Sequence, residues 1–207
     1  MADAIHTRRP GDGVRPIDDF YPTPPECTRA LLSTGELNGV DRIWEPCCGD
    51  GAIARVLMAT GYDVAATDLN DHGFGTSGRD FFFEATPLAA CIVTNPPFTL
   101  ALDFLQRALA IGVDKVVLLL RLAFLEGRNR DGLMAPGPCR RVYPFKDRVS
   151  MYPGSWEGVR NGGMMPMGWF VFERDWNGPI SIPCRLDARR FRAVSDADHS
   201  AERRASP

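Results

Sequence analysis

Residues 42–68 read RIWEPCCGDGAIARVLMATGYDVAATD, and the alternation within this stretch decides the fold. The apolar run Arg42–Trp44 predicts a short strand, and a helix is expected to begin near Ala52 and to end at Gly61. The side chains that share one face of this helix are Ile53, Val56, Leu57 and Thr60. A second strand is expected from Asp63 to Thr67. Because a helix separates them, the two strands are predicted to be parallel.

The same alternation continues toward the C-terminus. Cys91–Thr94 and Val116–Leu120 are apolar enough to predict two buried strands. The helix between them is expected to be capped by Thr99 and closed by Gly112. Its apolar face is formed by Leu102, Leu105 and Leu109.

Two further strands are predicted at one edge of the sheet. Arg148–Tyr152 and Trp169–Glu173 are joined by a Gly-rich connection and are expected to form an antiparallel pair. Together the patterns predict an α/β fold, with a central, mostly parallel sheet, an antiparallel edge pair and helices on both faces. The aromatic residues expected in the core are Trp44, Trp169 and Phe170.

The chain of 207 residues is expected to form a single domain from residue 18 to residue 185. Residues 1–17 are polar and rich in Gly, Pro and Arg, which predicts a flexible N-terminal segment. Residues 186–207 carry few apolar side chains and many charges, so a flexible charged tail is predicted, with a short helix near its start.

Composition disfavours several classes of protein. No apolar run approaches the roughly 20 residues of a membrane span, and the first residues contain no signal-peptide core, so we expect a cytoplasmic protein without a membrane partner. The six cysteines form no CxxC pair and lie far from the histidines, so neither a metal site nor a disulfide framework is expected. The net charge of −2 argues against a surface that binds nucleic acid throughout, but it allows a local basic strip.

The first strand ends in the turn EPCCGDG at residues 45–51, at the edge of the sheet where α/β proteins bind ligands. Gly49 and Gly51 allow the backbone to turn tightly and approach a ligand. Asp68 ends the second strand about 20 residues further on, where a carboxylate can accept ribose hydroxyls. The third glycine of GxGxxG is absent, and Glu45 would repel a pyrophosphate but attract a cation such as the amino group of a methionine moiety. A plain strand-to-helix connection is the alternative interpretation of this turn alone.

A second motif, residues 94–98 (TNPPF), follows a buried strand and therefore lies at the same edge. Pro96 and Pro97 fix the backbone, remove two N–H donors and hold Asn95 in extended geometry. The turn presents acceptors, namely the Asn95 side-chain oxygen and nearby carbonyls, beside the aromatic face of Phe98. This suits a planar base with an amino group, because two acceptors can bind its two hydrogens while the ring stacks. A rigid strand-to-helix turn is the alternative interpretation.

Together these motifs resemble those of S-adenosylmethionine-dependent amino-methyltransferases, specifically small, phage-borne DNA N6-adenine methyltransferases. Residues 95–98 match the [DNS]PP[YFW] motif that holds the target amine in that family, and residues 45–51 resemble its cofactor loop. Residues 21–25 (YPTPP) match the family's N-terminal cofactor segment, although alone they are typical of a helix N-terminus. The resemblance covers residues 18–127 and, more loosely, the edge strands as far as Glu173.

The resemblance implies a Rossmann-like methyltransferase fold, S-adenosylmethionine as cofactor, DNA as partner and a role for each matched residue. The catalytic residues it implies are Asn95, Pro96, Pro97 and Phe98. The cofactor-binding residues it implies are Tyr21, Thr23, Glu45, Cys47, Gly49, Gly51, Asp68 and Asp80. Tyr21 and Thr23 would contact the methionine end of the cofactor, and Asp80 would contact its adenine.

A basic strip follows the strand Val116–Leu120, with seven basic and three acidic residues between positions 121 and 148. On the Asn95 side of the sheet, we expect nucleic-acid contacts from Arg121, Arg128, Arg130, Arg140, Arg141 and Lys146. A solvated loop surface is the alternative. Residues 122–129 (LAFLEGRN) are expected to form a lid, and residues 162–165 (GGMM) a hinge, with a simple hairpin loop as the alternative for the latter.

The function predicted from the sequence is methyl transfer to an exocyclic base amine, with adenine N6 in DNA as the target. The base must be flipped out or single-stranded to reach the pocket. No large target-recognition domain accompanies the match, so the recognised site and a restriction partner stay open, as does the oligomeric state. The same motif occurs in enzymes that act on RNA bases and protein glutamine, and cytosine N4 offers the same chemistry. A nucleic-acid-binding protein without turnover is the alternative from another class, which the intact Glu45, Asp68, Asn95 and Phe98 disfavour.

Overall fold

A computed structural model describes residues 21–151 and 165–192 of the chain. The strands are β1 (Arg42–Glu45), β2 (Asp63–Ala66), β3 (Cys91–Thr94), β4 (Lys115–Arg121), β5 (Cys139–Pro144) and β6 (Met167–Glu173). The α-helices are α1 (Pro25–Leu32), α2 (Ala52–Ala59) and α3 (Ala101–Ala110). Short 3₁₀ turns lie at Phe81–Phe83, Leu122–Leu125, Arg128–Leu133 and Ala188–Phe191. In these two ranges, no helix has the length and apolar character needed to cross a bilayer.

The strands form one sheet in the order β2-β1-β3-β4-β6-β5. β1 pairs in parallel with both β2 and β3, and β3 pairs in parallel with β4. β6 runs antiparallel between β4 and the edge strand β5. The predicted α/β architecture, mostly parallel with an antiparallel edge pair, is therefore confirmed.

Helices cover both faces of the sheet, because each strand alternates its side chains between the two faces. On one face, α1 and α2 contribute Leu31, Ile53 and Leu57 to a core that contains Val117 and Trp169 of the sheet. On the other face, α3 contributes Phe104 and Leu105 to a second core, which contains Trp44, Ile92 and Phe170 of the sheet. The aromatic residues expected in the core, namely Trp44, Trp169 and Phe170, are fully buried.

One strand of the antiparallel edge pair differs from the sequence prediction. Trp169–Glu173 lies within β6, as expected, but its partner is β5 rather than Arg148–Tyr152. In the described part of that segment, Val149 forms an isolated bridge with Met165, and Tyr152 lies outside the described residues. β5 is an edge strand, where charged side chains are tolerated and protect the sheet from further pairing. Because it contains two consecutive arginines, it lacks the alternating apolar pattern by which a strand is recognised in a sequence.

The start of α3 also differs from the prediction. Its N-cap is Leu100, without a side-chain hydrogen bond, so the predicted Thr99 cap is wrong. The Leu100 N–H donates to the Pro97 carbonyl at 2.9 Å, so one further turn precedes the helix. The buried face consists of Ala101, Phe104, Leu105 and Ala108, while Leu102 and Leu109 are half-buried beside it. Gly61 and Gly112 follow α2 and α3 with φ of 98° and 91°, as expected of helix-ending glycines.

Residues 186–192, predicted as the start of a flexible tail, pack on the domain instead. Leu186 is buried, its N–H donates to the Pro144 carbonyl and its carbonyl accepts the Lys146 N–H, both at 2.8 Å. The turn Ala188–Phe191 lies against α1, where Arg29 donates to the Phe191 carbonyl at 2.9 Å. Backbone pairing and one buried leucine thus outweigh the charged composition. The other predicted flexible stretches, 1–17 and 193–207, lie outside the described residues, as do positions 162–164 of the predicted hinge.

Candidate active site

A cavity of about 520 Å³ lies at the carboxyl ends of β1, β2 and β3. The predicted site residues that line it are Tyr21, Thr23, Glu45, Cys47, Asp68, Asp80, Asn95, Pro96, Pro97 and Phe98. Pockets for small ligands measure roughly 300–1,000 Å³, so this volume suits a nucleotide-sized molecule. The Gly-rich turn and the Asn-Pro-Pro-Phe turn therefore face one shared space.

Two glycines shape the turn that leaves β1. Gly49 (φ 52°) and Gly51 (φ 83°) have left-handed backbone, which glycine adopts without strain. Gly51 is the N-cap of α2, and a Cβ added there would lie 2.5 Å from the Phe74 ring. Neither glycine lines the cavity itself, so their contribution is to the path of the backbone.

Asp68 fastens this turn to the end of β2. One of its carboxylate oxygens accepts the Gly49 N–H at 2.8 Å, and the other accepts the Asn70 N–H at 2.9 Å. Each oxygen keeps a further lone pair. Because Asp68 also lines the cavity, it can accept hydroxyl groups of a ligand while it holds the turn.

Asp80 lines the same cavity at the start of an aromatic turn. Its carboxylate accepts the Phe82 N–H at 2.9 Å and so caps Phe81–Phe83. Phe81 is buried and stacks on Phe104 of α3, with ring centroids 3.9 Å apart. The stack anchors the turn to the core, while Phe82 lines the cavity, where a flat ligand can contact its ring.

Glu45 places a carboxyl group in the cavity wall with little solvent around it. The residue is 1% exposed, and no group in the described part of the chain donates to its Oε2 atom. Burial raises the pKa of this carboxyl well above its usual range, and the negative charges of Asp68 and Asp50 raise it further, although the Ala54 N–H opposes the shift. A bound cation would restore the ionised form, so this wall favours a positively charged ligand.

The adjacent thiols of Cys47 and Cys48 also line the cavity. Burial, together with Asp68 and Glu45, raises the pKa of Cys47 well above its usual range and that of Cys48 to about 12. Both side chains are therefore neutral thiols near neutral pH and are poor nucleophiles. Across residues 21–151 and 165–192, no three His, Cys, Asp or Glu side chains are grouped to hold a metal ion.

Asn95 is held by two segments that are distant from it in sequence. Its Nδ2 atom donates to the Tyr21 carbonyl at 3.3 Å and lies 3.8 Å from the Met151 sulfur. Because a carbonyl can only accept, this contact fixes the orientation of the amide. The Oδ1 atom is buried, and no described residue donates to it. Asn95, a residue of the cavity wall, thus has an unsatisfied hydrogen-bond acceptor.

Phe98 extends the same wall beyond the two prolines. It is half-buried, and the guanidinium carbon of Arg121 lies 4.7 Å from the centroid of its ring. Arg121 is exposed at the end of β4, the strand beside β3. One face of the aromatic ring is therefore covered by a cation–π contact.

Four of the six basic residues predicted to contact nucleic acid have partners within the protein. Arg140 pairs with Glu173, Arg141 with Glu36 at 3.0 Å, and Lys146 with Asp187 at 3.6 Å. Arg130 donates to the carbonyls of Ala123, Phe124 and Glu126 and stacks over Phe124, so it closes the loop after β4.

The position of Arg140 and Arg141 also differs from the expectation. Both lie beside Lys115, which begins β4, whereas Asn95 follows the carboxyl end of β3. The two arginines thus lie at the amino ends of the parallel strands, whereas the cavity lies at their carboxyl ends. Arg128 is exposed and has no ion pair with the described residues.

Several cavity residues escape the sequence motifs, including Leu69, Asn70, His72 and Arg79. Leu69 and Asn70 directly follow Asp68 at the end of a parallel strand, so their place in the sequence could have predicted that they line the cavity. No comparable signal marks His72 or Arg79, which the loop after β2 brings to the cavity.

No protein-family model matches the chain, and no curated protein matches it in sequence. In structure, it is similar to a protein from Listeria monocytogenes assigned as a class I S-adenosylmethionine-dependent methyltransferase, with a TM-score of 0.57, 12% identity, and 93% of this chain and 73% of that chain covered. It is also similar to a protein from Pyrococcus horikoshii assigned as an RNA methyltransferase, with a TM-score of 0.54, 14% identity, and 75% and 87% covered.

A third similar structure is a modification subunit, from Vibrio vulnificus, assigned to a type I restriction enzyme. The TM-score is 0.52 at 11% identity, and the match covers 91% of this chain but only 54% of the subunit. At such identities the similarity shows the fold. The chain therefore has the Rossmann-like fold of class I methyltransferases.

Proposed function

We propose that the protein transfers a methyl group from S-adenosylmethionine to the exocyclic amino group of a base, with adenine N6 in DNA as the target. The observation that carries the proposal is the buried Oδ1 atom of Asn95, which lacks a donor among the described residues and belongs to a residue of the cavity wall. An unsatisfied buried acceptor costs on the order of 1–3 kcal/mol, and a ligand amine would satisfy it. The fold supports the same chemistry.

The wall around the Gly-rich turn fits S-adenosylmethionine by charge. Bound there, the cofactor would supply an electrophilic methyl group on a positively charged sulfur. We assign its methionine end to Glu45, Tyr21 and Thr23, since the buried Glu45 favours a cation. We assign its ribose to Asp68 and its adenine to Asp80 beside Phe82. Gly49 and Gly51 shape the turn that carries this wall, and Cys47 lines the wall as a neutral thiol.

The Asn-Pro-Pro-Phe turn would prepare the target nitrogen. The lone pair of an exocyclic amine is delocalised into the ring, which makes the amine a weak nucleophile. Asn95 Oδ1 and a carbonyl of the turn would accept its two hydrogens and so favour a pyramidal nitrogen with a free lone pair. Stacking on Phe98 would contribute about 1–3 kcal/mol. Positioning and electrostatics then replace a general base before transfer.

The target is the finer part of the proposal. The Asn-Pro-Pro-Phe motif favours adenine, whereas RNA adenine, cytosine N4 and protein glutamine offer the same planar NH₂ group. Duplex DNA buries this group in the base stack, so we expect a flipped base or a single strand as the substrate.

The direct test is methyl transfer by the purified protein from labelled S-adenosylmethionine to plasmid DNA, total RNA or a protein extract in parallel. Mass spectrometry of the nucleosides from labelled DNA should find N6-methyladenine. Label in RNA or protein alone would reject DNA as the target, and label in none of the three would reject the proposed activity.

Two variants separate the halves of the site. Asn95→Ala should lower methyl transfer by roughly 10²–10³-fold, as for loss of one preorganised hydrogen bond, and should leave cofactor affinity within a few-fold. Asp68→Ala should weaken cofactor affinity by about 1–3 kcal/mol, the scale of hydrogen bonds to a charged group.

Both affinities are measured by calorimetry. The assignment of Asn95 fails if its variant loses the cofactor, and that of Asp68 fails if its variant binds normally.

A further inference from the structure

We propose that Arg121 is a positioning residue of the base pocket, which covers one face of Phe98 and binds a phosphate next to the target base. The inference rests on the proposed function, since it takes nucleic acid as the substrate. Its structural basis is the contact between the guanidinium carbon and the ring of Phe98, at 4.7 Å.

Arg121 differs from the other basic residues near the cavity in what surrounds its charge. Arg130, Arg140, Arg141 and Lys146 are engaged by carbonyls or carboxylates. Arg121 has no ion pair in residues 21–151 and 165–192, and it is exposed. Arg128 is also exposed and unpaired there, but it contacts no aromatic residue of the cavity. Arg121 therefore combines an available charge with a fixed place beside the cavity.

The chemistry of the guanidinium group explains the choice of ligand. A guanidinium that lies over an aromatic ring keeps N–H donors at its edge, and their fork geometry matches a phosphate. The residue ends β4, whose neighbour β3 leads directly into the Asn-Pro-Pro-Phe turn. A phosphate bound there lies within reach of a nucleotide whose base occupies the cavity. Since Arg121 covers one face of Phe98, the base stacks on the other face.

The test measures binding of a fluorescein-labelled single-stranded DNA that contains one adenine, by fluorescence anisotropy at several salt concentrations. Arg121→Ala should weaken binding by roughly tenfold and reduce the slope of log affinity against log salt by about 0.7, the value for one single-strand phosphate contact. An unchanged slope would overturn the proposal. Thermal denaturation checks that the exposed substitution leaves the fold intact.

The contact with Phe98 is tested by a double-mutant cycle. Arg121→Lys keeps the charge but loses both the planar stack and the forked donors, so it should weaken binding by about two- to fivefold when Phe98 is present and by clearly less in the Phe98→Leu background. Arg42→Lys is the matched control, because Arg42 is exposed at the start of β1, away from the cavity, and it should change binding by less than about twofold in both backgrounds. Equal effects of Arg121→Lys in the two backgrounds would remove Phe98 from the proposal.

Because binding is measured without turnover, the two proposals can fail separately. Arg121-dependent binding without methyl transfer to any nucleic acid would reject the proposed function and keep the phosphate contact. Methylation of the DNA with unchanged affinity, KM and kcat in Arg121→Ala would reject the phosphate contact and keep the proposed function. Absence of both binding and methylation in the wild-type protein would reject both.

Discussion

Glu45 lies in surroundings that differ strongly from those of an exposed carboxylate. It is buried at the end of β1, and burial raises its pKa, so the neutral form persists to higher pH than in an exposed glutamate. Asp68 and Asp50 add to this shift, and no described cation offsets it. A cationic ligand would therefore favour the ionised form of this carboxyl.

Glu45→Gln is expected to stabilise the free protein near neutral pH and to weaken S-adenosylmethionine binding. The folded pKa lies above the unfolded value of about 4.3, so between the two values the folded state binds more protons and stability falls as pH rises. Glutamine does not ionise, so the variant does not lose stability in this way as the pH rises. The gain in free energy of unfolding of the variant should thus begin above the unfolded pKa and grow until the pH passes the folded pKa. Each kcal/mol should raise the melting temperature by roughly 2–4 °C.

Thermal denaturation of both proteins from about pH 4 to about pH 8 checks this prediction. Glu36→Gln is the control, because Glu36 is a buried carboxylate with partners: Tyr143 donates to it at 2.6 Å and Arg141 pairs with it. That variant should be destabilised at neutral pH. A Glu45→Gln protein that melts at or below the wild-type temperature at neutral pH would contradict the role assigned to the carboxyl group.

The sequence predicts which polar residues reach the cavity better than it predicts what they contact. Asp68 and Asn95 each follow a strand, and the carboxyl edge of a parallel sheet brings them together. The partners of Asn95, however, are Tyr21 and Met151, which lie 74 and 56 positions away. In the same way, the sequence does not reveal that Arg140, Arg141 and Lys146 pair with carboxylates from remote parts of the chain.

At the scale of elements, the junction of β1 and α2 depends on Gly51. Gly51→Ala should destabilise the fold by about 2–5 kcal/mol, because a left-handed alanine is strained by roughly 1–2 kcal/mol and its Cβ would overlap the Phe74 ring. Urea denaturation measures the loss. Gly61→Ala is the matched control, since Gly61 also has positive φ but an added Cβ there meets no atom within 4 Å. Equal losses in the two variants would show that the Phe74 contact is unimportant.

The elements also show where a hydrophobic pattern stops being informative. β1, β3 and β4 are central in the sheet and buried, so their apolar runs identify them. β5 contains CRRVYP, and its arginines are accommodated by Glu36 and Glu173, which only the folded structure brings to the edge. An edge strand with two charges in succession has no periodicity that distinguishes it from a loop.

On the scale of the whole molecule, both ends of the described chain meet at α1. Arg192 lies 3.3 Å from Glu26, and the turn Ala188–Phe191 packs on the same helix, which directly follows the cavity residues Tyr21 and Thr23. The C-terminal segment therefore packs on α1 and stabilises the helix that follows the N-terminal residues of the cavity.

A chain ended after residue 185 should be less stable by about 2–5 kcal/mol than one ended after residue 192. The shorter chain loses the burial of Leu186 and its two backbone hydrogen bonds, one to Pro144 at the end of β5 and one from Lys146. It should also bind S-adenosylmethionine more weakly, because α1 loses its support. Denaturation and calorimetry on the two truncated proteins make the comparison, in which both lack residues 193–207. Identical stability would mean that residues 186–192 are dispensable.

The turn after β3 has one more chemical consequence. Asparagine in proteins deteriorates by deamidation when the backbone nitrogen of the next residue attacks the side-chain amide and releases ammonia. The nitrogen that follows Asn95 belongs to Pro96 and carries no hydrogen, which closes that route. The proline that stiffens the turn therefore also protects its amide from chemical ageing.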